Sequence, residues 1–130
     1  MMNNSNAPRK KILIIEDDEI NRKVMEFQLK NNFLVDLAKN GKEGLDLFTK
    51  GDYDLILMDI NLGLGENGIE VMEEIRKFHK GNSTPVIAIT AYANFGNRDG
   101  FLEAGFDNYI AKPYQADELI MCIMDSINIY

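Results

Sequence analysis

KILIIEDDE, residues 11–19, sets four apolar side chains directly ahead of four carboxylates. A continuous apolar run this short predicts a strand buried on both faces, because a strand with one wet face would alternate. The same punctuation recurs along the chain. LILM at 55–58 runs into Asp59, and PVIAI at 85–89 runs into Thr90. FLVDLA at 33–38 carries Asp36 inside the run, and NYIA at 108–111 is short and mixed, which suits the edges of a sheet.

Helical patterns separate these runs. Ile20, Val24 and Phe27 recur at helical spacing, with Asp18 or Glu19 available near the helix start. Gly41–Lys50 holds Leu45 and Phe48 on one face, and Gly51 is placed to stop it. Ile69, Met72 and Ile75 mark a third helix, ended before the turn signal Gly81-Asn82-Ser83. A short fourth is predicted near Arg98–Ala104, stopped by Gly105. The last covers about Gln115 to Ile127, with Leu119, Ile120, Ile123 and Ile127 inward and Met121, Cys122 and Met124 toward the flank. Five β-α units in series predict an α/β fold: a doubly wound, five-stranded parallel sheet of flavodoxin-like type, with helices on both faces. With edge-like strands second and last, the order is 2-1-3-4-5.

Bulk composition narrows the function. At 130 residues the chain fits one domain; it is 45% apolar and 27% charged, as globular domains are. A net charge of −7 repels a phosphate backbone, so direct nucleic-acid binding is not expected. The single cysteine, Cys122, can form no internal disulfide, which fits a reducing compartment. No apolar run approaches the roughly 20 residues that span a bilayer. Residues 1–8 read as a loose polar tail and 9–130 as the domain, with a cytoplasmic location expected.

In doubly wound sheets, functional groups collect at the carboxyl ends of strands. Glu16, Asp17 and Asp59 fall there, and would repel one another unless a hard divalent cation sat among them; oxygen ligands suit Mg²⁺. Lys112 can balance Asp59 and clamp an added phosphoryl oxygen, and Thr90 offers a hydroxyl to another. The Asp59 carboxylate is a fitting phosphoryl acceptor. Each residue alone has a plainer role: a solvated acidic loop, a helix N-cap, a loop hydroxyl, a surface lysine before a proline. Their conjunction at strand ends favours the chemistry.

These segments resemble the receiver domains of response regulators, the CheY-like family. The resemblance runs from about Lys10 to the end and rests on KILIIEDDE, DLILMDINL (54–62), PVIAITAYA (85–93) and AGFDNYIAKPY (104–114). It implies Asp59 as phosphoacceptor, and Glu16, Asp17, Asp59 and the backbone carbonyl of Asn61 as ligands of Mg²⁺. Thr90 and Lys112 would take the catalytic and switch positions, and Tyr109 that of the switch aromatic. It implies a protein that assists its own phosphorylation and dephosphorylation rather than an enzyme acting on other molecules. The implied partners are a sensor histidine kinase or histidine phosphotransfer protein and a downstream protein target, with a possible homodimer through the face at Tyr109 and the last helix. A stand-alone regulator is expected, with a receiver excised from a hybrid sensor kinase as the alternative. Two departures stand out: Gly63 replaces the family's usual proline, and Gly68 comes one residue late. The loop NLGLGENG (61–68) therefore carries three glycines and one extra residue.

Other readings fit less well. A haloacid-dehalogenase-type phosphatase needs Asp-x-Asp after its first strand, where this chain has Glu16-Asp17-Asp18, and a cap insertion that is missing. A flavodoxin-type flavin module needs a phosphate loop that four acids would repel. A pseudo-receiver scaffold gains nothing from keeping Asp17, Asp59, Thr90 and Lys112 together.

Overall fold

The computed structural model describes residues 9–63, 65–78, 83–91 and 100–128. Five strands, β1 (Lys11–Ile15), β2 (Leu34–Ala38), β3 (Leu55–Asp59), β4 (Val86–Thr90) and β5 (Asn108–Ala111), form one parallel sheet in the order β2-β1-β3-β4-β5. The predicted order is the observed one. Helices α1 (Glu19–Leu29), α2 (Gly41–Lys50) and α3 (Gly68–Arg76) follow the first three strands, and a last helix spans Ala116–Ile127. Residues 100–104 are also helical, and Gly105 ends them at φ 116°. Arg98 and the turn at 81–82, both part of the sequence reading, lie outside the described residues.

The pleat divides the core into two layers. Leu13, Ile15, Ile56, Met58, Val86 and Ala88 face Phe48 of α2 and Val71, Met72 and Ile75 of α3. Ile12, Ile14, Leu55, Leu57, Ile87 and Ile89 face Met25 and Leu29 of α1 and Leu119 and Ile123 of the last helix. Central strands β1, β3 and β4 are thus apolar at consecutive positions because both faces are covered. The edge strand β2 tolerates Asp36 because Lys11 pairs with it at 3.5 Å and the Tyr53 hydroxyl donates to it at 2.6 Å.

In α1 the buried residues are Met25 and Leu29, not the three whose spacing marks the helix. Ile20 and Phe27 are 72% and 70% exposed and Val24 is 47% exposed, so an apolar stripe faces outward. In the last helix Leu119 and Ile123 are fully buried and Ile120 and Ile127 pack at the margin of that layer. Met121 is 52% exposed, as its position predicted, while Cys122 and Met124 are partly covered.

A candidate phosphorylation and metal site at the strand ends

Register places the site. Ile15 pairs with Met58, so Glu16 and Asp17 leave β1 beside Asp59, the last residue of β3. Thr90 ends β4, and its carbonyl accepts the Lys112 amide at 2.8 Å, which brings Lys112 in from beyond β5. The Lys112–Pro113 peptide is cis. Helix α3 starts close under β3: a Cβ on Gly68 would collide with the Asp59 carbonyl, which is why a glycine opens this helix.

One carboxylate oxygen each from Glu16, Asp17 and Asp59 lies within 4.8 Å of the others. Lys112 Nζ donates to Glu16 Oε1 at 3.2 Å and stands 3.7 Å from Asp59 Oδ1. The lysine expected to balance Asp59 is therefore closer to Glu16. The Asn61 amide donates to Asp59 Oδ1 at 3.3 Å. These groups, with Thr90, Ala91 and Gly63, line a cleft of ≈ 310 Å³. Thr90 is buried, and Asp17 is exposed at the mouth.

Like charges in a buried space shift their titration. Burial raises Glu16 to about 8, helped by its hydrogen bond and charge contact with Asp59. Burial also raises Asp59, opposed by its bond to Glu16, by Lys112 and by the Asn61 amide. Crowding of this kind favours a shared proton, or a divalent cation in its place, over two bare charges. An all-oxygen donor set with surplus negative charge fits Mg²⁺, so the residues present suit the group the sequence implied.

Of the predicted residues, the structure brings Glu16, Asp17, Asp59, Asn61, Thr90 and Lys112 to one cleft. Tyr109 stands apart on β5, paired in register with Ala88, its ring stacked on Phe101 at 5.5 Å and 23°. Sequence reasoning missed Arg22. From α1 its Nη1 donates to the carbonyls of Glu16 and Asp17, at 2.9 and 2.8 Å, and so fixes the backbone of the acidic pair. A single arginine one turn into a helix gives no signal of that role.

Comparison with known proteins agrees with this geometry. The model of the response regulator receiver domain matches residues 12–124, and this chain belongs to that family. The transcriptional regulatory protein ResD of Bacillus subtilis is 37% identical over 112 residues, covering 85% of this chain and 45% of ResD. Hybrid signal transduction histidine kinase I of Dictyostelium discoideum is 38% identical over 111 residues, which is 79% of this chain and 6% of the kinase. The chain thus spans about half the length of several curated regulators it matches, and a small part of the kinase. Among solved structures, the receiver domain of sensor histidine kinase PA1611 from Pseudomonas aeruginosa superposes with a TM-score of 0.84 at 34% identity. The match covers 93% of this chain and 99% of that one, and that receiver holds a magnesium ion in its active-site cleft. The receiver domain of Saccharomyces cerevisiae Ssk1, in complex with the histidine phosphotransfer protein Ypd1, matches with a TM-score of 0.80 at 29% identity, covering 92% of this chain and 89% of that one.

Proposed function

We propose that this chain is a phosphorylation-operated switch that accepts a phosphoryl group on Asp59 from a phosphohistidine of a partner protein. The observation that carries the reading is the meeting of three carboxylates within 4.8 Å, with Lys112 at 3.2 and 3.7 Å from two of them, at the carboxyl ends of neighbouring strands. An Asp59 oxygen bonds the phosphorus as the phosphorus–nitrogen bond to the donor imidazole breaks, and the imidazole keeps the electron pair. Glu16, Asp17, Asp59 and the Asn61 carbonyl would hold Mg²⁺, which supplies charge neutralisation at the phosphoryl oxygens when bound. Lys112 is free to turn from its carboxylates to a phosphoryl oxygen, and Thr90 donates its hydroxyl to another. Drawing Thr90 toward phosphate opens room beside β4 for Tyr109, whose ring already packs against the same face. The chain thereby assists its own phosphorylation and dephosphorylation and turns over no separate substrate.

Docking of the donor is supported by the exposed stripe Ile20, Val24 and Phe27. A flanking groove of ≈ 270 Å³ joins α1 to the cleft through Glu16, Val24, Gln28, Lys112 and Pro113. A histidine presented on an apolar surface of a partner protein fits this geometry, in keeping with the histidine phosphotransfer protein bound to the Ssk1 receiver. The output face proposed comprises residues 100–104, β5 and the last helix, where Leu102, Tyr109 and Met121 offer contact area to a downstream protein or a second copy. Action in the cytoplasm follows from this role. The similarity to the hybrid kinase of Dictyostelium supports a second setting, a receiver within a hybrid kinase. Incubation with acetyl phosphate and Mg²⁺ should add one phosphoryl group by intact mass and none to Asp59→Asn; equal labelling of both would overturn the assignment.

A further inference from the structure

The loop between β3 and α3 reaches the cleft through Asn61 and Gly63. Its internal bonds fix its shape: Asn61 bridges Asn67, the Leu62 amide donates to the Glu66 carbonyl at 3.2 Å, and the Glu66 amide donates to the Gly63 carbonyl at 2.8 Å. None of these fixes its place. The base of the loop is tied to the end of β3, the Asn61 amide donating to Asp59 Oδ1 at 3.3 Å and the Gly68 amide to the Ile60 carbonyl at 2.9 Å, while its outer part is placed by the buried Leu62 and by Glu66, whose Oε1 accepts the Gly41 amide at 2.8 Å. That amide belongs to the first residue of α2, a helix-end donor without an intrahelical partner, and the helix N-terminus attracts the carboxylate. Contact there is close: a Cβ on Gly41 would lie 2.6 Å from Glu66 Oε2. On the loop's other side, Gly63 (φ 74°) lies against the acidic pair, where an added Cβ would stand 2.8 Å from Asp17 Oδ2.

The loop is thus held between α2 and Asp17. Gly63 and Gly65, at φ 74° and 79°, give its outer part no backbone stiffness of their own, so its position depends on its anchors. We propose that Glu66 is a positioning residue of the phosphorylation cleft: by tying the loop to the first turn of α2, it holds Gly63 against Asp17. The inference rests on the reading of the cleft as a Mg²⁺ site. It also accounts for how a proline-free loop keeps its place, since a side-chain clip stands in for backbone stiffness.

The test compares Glu66→Ala, Glu66→Asp and Glu66→Gln in the 130-residue chain. Mg²⁺ affinity is read from amide NMR titration, and melting in EDTA checks folding. Removing a hydrogen-bond partner of a metal ligand typically costs about 10- to 100-fold in affinity, and Glu66, which acts one step further out through Gly63, is expected at the low end of that range. Alanine and the shorter aspartate lose the Gly41 bond and should weaken Mg²⁺ binding by about tenfold. Glutamine keeps an oxygen acceptor at the same reach and should stay within about twofold of wild type. If alanine fails to fold, the aspartate and glutamine pair decides. The inference is overturned if aspartate binds as wild type does, or if glutamine is as weak as aspartate. A wild-type chain that binds no Mg²⁺ overturns the site reading together with this inference, which distinguishes the two failures.

Discussion

Replacing Glu16 with glutamine should stabilise the cation-free protein at alkaline pH and flatten the pH dependence of its stability. Glu16 is 1% exposed, and burial raises it from 4.5 to about 8. Between those values the folded state holds a proton that the unfolded chain has released. Stability is therefore greatest below pH 4.5 as far as this group is concerned, and is lost as pH rises through about 8. At about 1.4 kcal/mol per unit, the displacement sets a ceiling of about 5 kcal/mol. Glutamine also deprives Lys112 of its nearer carboxylate, at 3.2 Å, which removes part of the gain. A net stabilisation of about 2–3 kcal/mol is expected near pH 9, shrinking toward zero near pH 5. The assay is urea unfolding in EDTA across that range, for wild type and Glu16→Gln. Adding Mg²⁺ should recover the wild type at high pH, since a ligand of the native state alone stabilises it. Wild-type stability that rises steadily from pH 5 to 9, or an unchanged slope in Glu16→Gln, would refute the buried-carboxylate reasoning.

Thr90→Ala should still be phosphorylated on Asp59, because the acceptor and its carboxylate neighbours remain. The NMR response of the Tyr109 ring to beryllofluoride should vanish, and an undiminished response would remove the threonine from the coupling. Phe27→Glu with Ile20→Glu should leave the fold within about 0.5 kcal/mol, since both side chains are exposed. Transfer from a phosphohistidine donor should fall at least about tenfold in that variant, while labelling by acetyl phosphate is unchanged; equal loss with both donors would mean the stripe does not dock the partner. Met121→Glu, at an exposed position of the last helix, should preserve folding and labelling and weaken phosphorylation-dependent association. Association equal to wild type in sedimentation or target pull-down would place the output face elsewhere.

Much of this was legible in the sequence, and the limits have physical causes. Strands buried on both faces must be apolar at every position, so KILII, LILM and PVIAI announce themselves without tertiary knowledge. Their carboxyl ends are then fixed by parallel topology, which groups Glu16, Asp17, Asp59, Thr90 and Lys112 from the sequence alone. The orientation of α1 was not legible. Met25 and Leu29 recur at helical spacing just as Ile20, Val24 and Phe27 do, and only the crossover geometry decides which stripe meets the sheet. The glycine-rich loop was visible as a departure, but not its anchor. Glu66 and Gly41 are 25 residues apart, and nothing local pairs a loop carboxylate with a particular helix amide. The preference of Lys112 for Glu16 over Asp59 is a matter of half an ångström that only side-chain packing settles.

The proposed acceptor, Asp59, can be identified directly. Borohydride reduction of acyl phosphate converts the modified aspartate into homoserine, which peptide mass spectrometry locates to a single residue. After treatment with acetyl phosphate and Mg²⁺, homoserine is expected at position 59 only, dependent on Mg²⁺ and strongly reduced in Lys112→Ala. Homoserine at Asp17 or Asp18 with Asp59 intact, or none at any carboxylate while the protein is folded and binds Mg²⁺, would contradict that assignment.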